Sequence, residues 1–260
     1  MARSSILASA AALLAFSLTH GAQADPVDVQ IGGAVSVMPK YEGSKEYEVF
    51  GFPIVAPGGI GQEGFVQFRG LDDIRFRLLD NSGFEAGVLG GYRFGRDEDD
   101  ADLLNGIGDV DGGLVLGGYV AYNFGFFKPF ISYHHQVTGD DGAVMRLGAE
   151  TRLPLSGGVT VVAIAGATYA NDDYMDSYFS ITPGQAAAST AGLGIYDAEA
   201  GFKDVYLSLG TDIPLTDLWS LKLGGRYGYL IGDAADSPVV ETEHQFSGVV
   251  GLSYKFTFDR

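Results

Sequence analysis

Gln245-Phe246-Ser247-Gly248-Val249-Val250-Gly251-Leu252-Ser253-Tyr254-Lys255-Phe256 reads as one extended strand with two unlike faces. Phe246, Gly248, Val250, Leu252, Tyr254 and Phe256 share an apolar, aromatic face. Gln245, Ser247, Val249, Gly251, Ser253 and Lys255 share a face that is mostly small or polar. This is the period-2 alternation of a strand with one apolar side. A soluble sandwich strand carries the same pattern, so the decision rests on the position of the stretch near the C-terminus and on what precedes it.

The finish, Gly251-x-x-Tyr254-x-Phe256, resembles the C-terminal assembly signal of bacterial outer-membrane β-barrels. Val249 stands where that signal usually has a polar residue, and Thr257–Arg260 overhang its end. The N-terminus agrees. Arg3, the short apolar run Ile6–Phe16 and Ala22-Gln23-Ala24 before Asp25 spell a secretory signal peptide over residues 1–24, too short for a spanning helix. A β-barrel domain is then expected over residues 25–260, within the range of one domain. The chain has no Cys, which excludes disulfides, thiolate zinc sites, thiol nucleophiles and a lipid-modified N-terminal cysteine. It has 39 Gly, 14 Tyr and 17 Phe, and after the signal no apolar run reaches the roughly 18 residues of a membrane helix. A net charge of −17 argues against nucleic acid as a partner, because phosphate binding needs a basic surface.

Read outward from the closing strand, the chain supplies about twelve strands: Val27–Met38, Tyr47–Val55, Glu63–Arg69, Asp73–Leu79, Phe84–Gly95, Gly113–Phe124, Phe127–Val137, Ala143–Leu153, Val159–Ala170, Lys203–Ile213, Leu218–Tyr229 and Gln245–Phe256. The second, third and ninth have blurred periodicity, so ten is the alternative count. Every second connection is short: Ala56–Gly61, Asp80–Gly83, Asn123–Phe126, Pro154–Gly158 and Pro214–Asp217. The long polar stretches Arg96–Asp111, Asn171–Gly201 and Leu230–Glu243 all fall between them. That sorting predicts an all-β, transmembrane, antiparallel up-and-down barrel with periplasmic turns and extracellular loops, and places Trp219 near the periplasmic girdle.

With the apolar faces toward lipid, the lumen receives Arg69, Arg75, Arg77, Arg93, Lys128, Arg146, Arg152, Lys222, Arg226 and Lys255. An Arg or Lys on the lipid face at the midplane would cost about 2–4 kcal/mol, so inward placement is expected. Two readings follow. The basic excess lines an anion-preferring passage, or it is paired with Glu85, Glu150, Asp204 and Asp212 in a lumen filled by side chains, the ordinary condition of small barrels. The run Asp97–Asp102 lacks the spaced ligands and Gly of a calcium loop, and with Asp109 and Asp111 it reads as a solvated acidic loop, so no metal or cofactor is expected. His134 and His135 point to opposite faces, and nothing marks a nucleophile beside either. The reading is non-enzymatic.

The loops carry a family resemblance. Pro39-x-Tyr41-x-Gly43-Ser44, Leu104-x-Gly106-x-Gly108-Asp109-Val110-Asp111, Tyr174-x-x-x-Tyr178-Phe179 with Gly192-Leu193-x-x-Tyr196, and Leu230-x-Gly232-Asp233-Ala234-Ala235-Asp236-Ser237-Pro238 resemble, in order and spacing, the MipA/OmpV family over essentially the whole mature chain. Ser180 and Ile181 stand where that family usually has Gly and Val. The resemblance implies an outer-membrane β-barrel in contact with outer-membrane lipid and lipopolysaccharide. It also implies a scaffold role toward a lytic transglycosylase and a murein-synthesising penicillin-binding protein, and it brings no catalytic residues. These motifs sit on the extracellular side of the expected topology, whereas murein partners are periplasmic. A passive small-solute channel and a surface adhesin are the alternatives.

Overall fold

The computed structural model describes residues 27–57 and 65–258. The signal peptide read at residues 1–24, and residues 58–61 of the first short turn, lie outside the described residues. The strands are β1 (Val27–Pro39), β2 (Tyr47–Pro57), β3 (Val66–Gly70), β4 (Asp73–Asn81), β5 (Phe84–Arg93), β6 (Gly113–Tyr122), β7 (Phe127–Gln136), β8 (Gly142–Pro154), β9 (Thr160–Ala170), β10 (Gly201–Pro214), β11 (Trp219–Leu230) and β12 (His244–Phe258). They form one 12-stranded sheet in the order β2-β1-β12-β11-β10-β9-β8-β7-β6-β5-β4-β3. Each strand pairs antiparallel with its neighbour in that order, so the count is twelve, not ten. The overhang expected after Phe256 is in part strand. Thr257 and Phe258 continue β12 opposite Asp28 and Val27.

The faces follow the alternation. On β6, Val115, Tyr119 and Ala121 are buried, and Leu114, Leu116, Val120 and Tyr122 are exposed. On β12, Ser253 is buried while Phe246, Val250, Leu252 and Phe256 are exposed. Apolar outside and polar inside inverts a soluble domain and suits a wall immersed in lipid. The periodicity of β9 is blurred because its inward positions Val162 and Ile164 are apolar too and line a cavity.

The sheet is curled, because side chains reach across it. Arg69 on β3 meets Glu150 on β8 at 2.5 Å, and Arg146 on β8 meets Asp72 at 2.6 Å. The two ends of the sheet come together at Phe52 of β2 and Phe68 of β3, with ring centroids 6.3 Å apart. Two glycines shape the inner wall. A Cβ at Gly87 would lie 2.8 Å from the Tyr119 ring, and one at Gly166 would lie 2.7 Å from the Tyr206 hydroxyl. Each therefore lets a tyrosine from the next strand lie flat along the wall.

The long connections gather at one end of the sheet (the loop end) and pack into a cap. Their composition alone predicts polar loops; the structure gives them helices. Helix α1 (Asp172–Phe179) starts where the Asn171 side chain accepts a hydrogen bond from Tyr174 N, and carries Asp172 and Asp173 in its first turn. Helix α2 (Pro183–Ala188) has a capping box between Thr182 and Gln185, with Pro183 at the first helical position. Helix α3 (Gly232–Asp236) follows β11. Caps, early acids and a leading proline are the usual means by which short helices satisfy their free N–H groups. Tyr41, Leu104, Ile107, Val110, Tyr174, Met175, Tyr178, Phe179, Ile181, Leu230 and Val239 form one buried apolar core across these segments. Arg96 is tied into it, its Nη1 donating to Tyr178 O at 2.8 Å.

Phe179 is fully buried at the centre of that core. Phe179→Ala should therefore remove about 3–5 kcal/mol from cap packing. The expected outcome is faster protease cleavage within residues 96–111 and 171–200, with heat-modifiable migration of the barrel retained.

Candidate functional site

The inward face divides into a filled half and an open half. In the filled half, β3 to β8 supply long charged side chains that meet one another. Arg75 donates to Asp73 from Nε at 2.8 Å and from Nη2 at 2.9 Å, and its guanidinium lies 4.7 Å from the Tyr119 ring centroid and 4.8 Å from that of Phe130. Asp72, at the tip between β3 and β4, receives both Nη atoms of Arg146. Glu85 accepts from Gln67 at 2.9 Å, from Tyr119 at 2.8 Å and from Lys128 at 3.2 Å. Glu150 takes Arg69 and Arg152 together. Charges withdrawn from water are tolerable only with such partners.

In the open half, several inward positions of β10, β11, β12 and β1 are small: Ser208 and Gly210, Gly224 and Gly228, Ser247, and Ser36. They leave a cavity of about 1140 Å³. It runs from Arg152, Thr160 and Asp212 at the turn end to Lys40, Tyr41, Glu42 and Tyr174 beneath the cap. Arg226 projects from its wall, stacked 3.7 Å from the Tyr206 ring centroid and only 3.5 Å from Asp204. Lys222 is paired with Asp212 at 2.9 Å. At the roof, Lys203 bridges Glu42 and Asp204, and the Tyr174 hydroxyl donates to Glu42 at 2.7 Å. A second, smaller hollow of about 500 Å³ at the turn end is lined by Arg77, Asp80, Glu85, Lys128, Glu150 and Arg152.

Of the basic residues expected in the lumen, Arg69, Arg75, Arg77, Arg93, Lys128, Arg146, Arg152, Lys222 and Arg226 each have an acidic partner within 4 Å on the inner side. Arg69, Arg93, Arg146, Arg152, Lys222 and Arg226 line the larger cavity; Arg75 does not. Sequence reasoning missed Lys203 and Glu42 as a roof pair, because a bulge between Phe202 and Asp204 turns Lys203 inward beside Asp204. It also missed Asp72 and Asp73 as the counterions of Arg146 and Arg75.

His134 is fully buried, with Ser132 Oγ at 2.9 Å and Asp72 O at 3.1 Å. The pairing of a serine with a histidine suggests a nucleophile and its base. Ser132 is buried as well, it also receives Arg75, and neither residue lines the two cavities described. The pair lies among the ion pairs of the filled half, with Asp73 3.8 Å from His134 Nε2. Several acids of residues 96–111 accept from backbone N–H groups, Asp100 from Asp97 and Asp109 from Glu98 among them. Asp97 caps a short turn, and Glu98 accepts from the N–H groups of Gly106 and Gly108.

A family model described as "MltA-interacting protein MipA" matches residues 31–256. Among curated proteins, the chain is 24% identical over 193 residues to outer membrane protein Omp26La of Vibrio anguillarum, covering 72% of each chain. It is 24% identical over 194 residues to outer membrane protein OmpV of Vibrio cholerae serotype O1, again covering 72% of each. Among solved structures, an outer membrane channel from Pseudomonas putida F1 aligns with 91% of this chain and 97% of its own, at 11% identity and a TM-score of 0.43.

Two expectations follow. Asp72→Asn removes the two-point counterion of part-buried Arg146 and leaves it only Asp73 at 3.8 Å; the midpoint of urea unfolding in micelles should fall, by less than the roughly 3–5 kcal/mol of a fully broken buried pair. The cap gives a pH dependence. Burial first, and then Glu241 beside Tyr41 and Glu42 beside Tyr174, push both hydroxyls above the ordinary tyrosine value. A folded value raised above an unfolded one near 10 means that their contribution is complete below about pH 10 and lost as pH rises further. Cap protection from protease should thus be flat through neutral pH and fall only in strong alkali, together with the appearance of tyrosinate absorbance.

Proposed function

The chain belongs to the MltA-interacting protein MipA family, and on that premise we propose that this outer-membrane β-barrel is a non-enzymatic interaction protein of the murein-remodelling machinery, working through its periplasmic face rather than as an open pore. The observation that carries the reading is the apolar core of the cap, which lies over the loop end of a lumen already half filled with ion pairs. Free diffusion through such a mouth requires the core to come apart. The working surface is then at the turn end, where Phe126 is 77% exposed, Leu155 54% and Leu215 53%, each in a different short connection. With a signal peptide removed on export and the loops extracellular, these turns face the periplasm. The partners are a lytic transglycosylase, as the family description implies, and a penicillin-binding protein. The turns offer little area, so each contact falls below the roughly 1,200 Å² of a stable interface.

The test is capture from envelope extract by the intact barrel, repeated with Asp80–Gly83, Asn123–Phe126, Pro154–Gly158 and Pro214–Asp217 replaced by Gly-Ser. Capture of transglycosylase or synthase should be lost while heat-modifiable migration stays. Capture that survives every replacement removes the scaffold reading. The cavity of about 1140 Å³ favours one second reading, a small-solute channel gated by the cap. Planar bilayers separate the two. The scaffold is silent, and the channel opens with anion preference that shifts when Arg146 and Arg226 are neutralised.

A further inference from the structure

Among the described residues, β2 and β3 are the two ends of the sheet, and neither is paired with the other. What joins them is an overlap of rings. On β2, Phe52 sits opposite the buried Ala34 and so faces inward with its neighbour Phe50 two positions away. On β3, Phe68 lies between the inward, buried Gln67 and the inward Arg69, and faces outward. Tyr92 on β5 is opposite the exposed Leu114 and also faces outward. The inner face of one edge thus laps over the outer face of the other. Phe52 meets Phe68 at 6.3 Å, Phe50 meets Phe94 at 5.5 Å, and Tyr92 meets Phe94 at 5.5 Å.

Phe52, Phe68, Tyr92 and Phe94 also line the large cavity. The same rings therefore close the wall and border the hollow behind it. Separating them breaks a few ring pairs, each worth about 0.5–1.5 kcal/mol beyond area burial, and, among the described residues, no backbone ladder. Lipid chains can replace those ring contacts, whereas nothing in hydrocarbon replaces a broken ladder. Across the cavity, chemistry changes sign. Arg146, Arg152, Lys222 and Arg226 stand on the wall formed by β8, β10 and β11, and Arg226 holds the loosest ion pair of the four. One hollow joins an aromatic opening toward lipid to a guanidinium-rich back wall. Its volume lies just above the upper end of the roughly 300–1,000 Å³ usual for small-molecule pockets.

We propose that this cavity binds an anionic amphiphile of the surrounding membrane, which enters sideways through the lapped edges of β2 and β3, its head at Arg226 and its chain among Phe52, Phe68, Tyr92 and Phe94. The apolar chain supplies the drive, about 0.8 kcal/mol per buried methylene, and the back wall selects for negative charge.

The chain has no Cys, so Phe52→Cys with Phe68→Cys places two unique thiols across the joint. The protein is reconstituted in phospholipid vesicles with a photoactivatable diazirine analogue of palmitate, irradiated, and the labelled peptides are identified by mass spectrometry. Label is expected on the segments bearing Tyr92, Phe94 and Arg226, competed by excess palmitate and much less by hexadecanol. The unbridged double variant lacks two of the four rings, so it should take less label than the unsubstituted protein and serves as the reference; bridging its thiols with a short bis-maleimide should abolish the label that remains. Arg226→Gln should weaken competition by palmitate about tenfold, the loss expected for one charge-assisted contact. Heat-modifiable migration of every variant establishes that the barrel has formed. Label confined to outward positions such as Val250 and Leu252 overturns the proposal. So does cavity label that persists with the bridge in place, or that hexadecanol displaces as well as palmitate does.

Discussion

A backbone placed in hydrocarbon finds no water, so every N–H and C=O of a spanning wall must be satisfied by the wall itself. Away from the joint between β2 and β3, most of the described wall follows from that constraint. It sets the antiparallel ladder from β2 round to β3, the apolar residues outside and the charges inside. It also explains why the charges come in pairs, because lipid outside and packed side chains inside leave few of them any bulk solvent. The ladders are long where the wall must be continuous: β1 and β12 are in register from Val27↔Phe258 to Val37↔Gly248.

Inside, the division into a filled and an open half comes from residue size at alternate positions. Gly87 and Gly166 let Tyr119 and Tyr206 lie against the wall, and those rings receive Arg75 and Arg226. A guanidinium on an aromatic face keeps its charge at modest cost, because the ring replaces part of the lost water. The two stacks have different surroundings. Arg75 is locked to Asp73 and buried, whereas the ion pair of Arg226 is long and its side chain borders open space. Equivalent-looking arginines on alternating strands are therefore filling in one case and lining in the other.

The strands were legible because period-2 patterning over long runs is a strong signal, and every end falls within a few residues of the pattern. The cap was not, because its segments are short and their apolar residues come from four different connections. Yet its caps are written locally: Asn171 before two aspartates, and Thr182-Pro183-x-Gln185. Pro53 likewise marks β2 as an edge, since proline cannot donate to a ladder on its second side. The open half was hidden for another reason. Small residues at inward positions of β10 to β12 look like ordinary strand residues until the opposite wall is known. The bulge at Phe202 and Asp204, which turns Lys203 inward, has no signature in alternation at all.

The place of the joint has a consequence for how the chain is wound. The first and last strands in sequence are neighbours bound by a full ladder, while the joint falls between β2 and β3, which follow one another along the chain. The pairing that spans the greatest sequence distance is thus the strong one, and loop closure over that distance is slow. The topology therefore admits a different start. A circular permutant beginning at β3 and ending at β2, with the old termini linked between β12 and β1, would carry its cut at the only boundary among the described residues where no ladder is lost. It would turn the slowest closure of the native chain into a local hairpin.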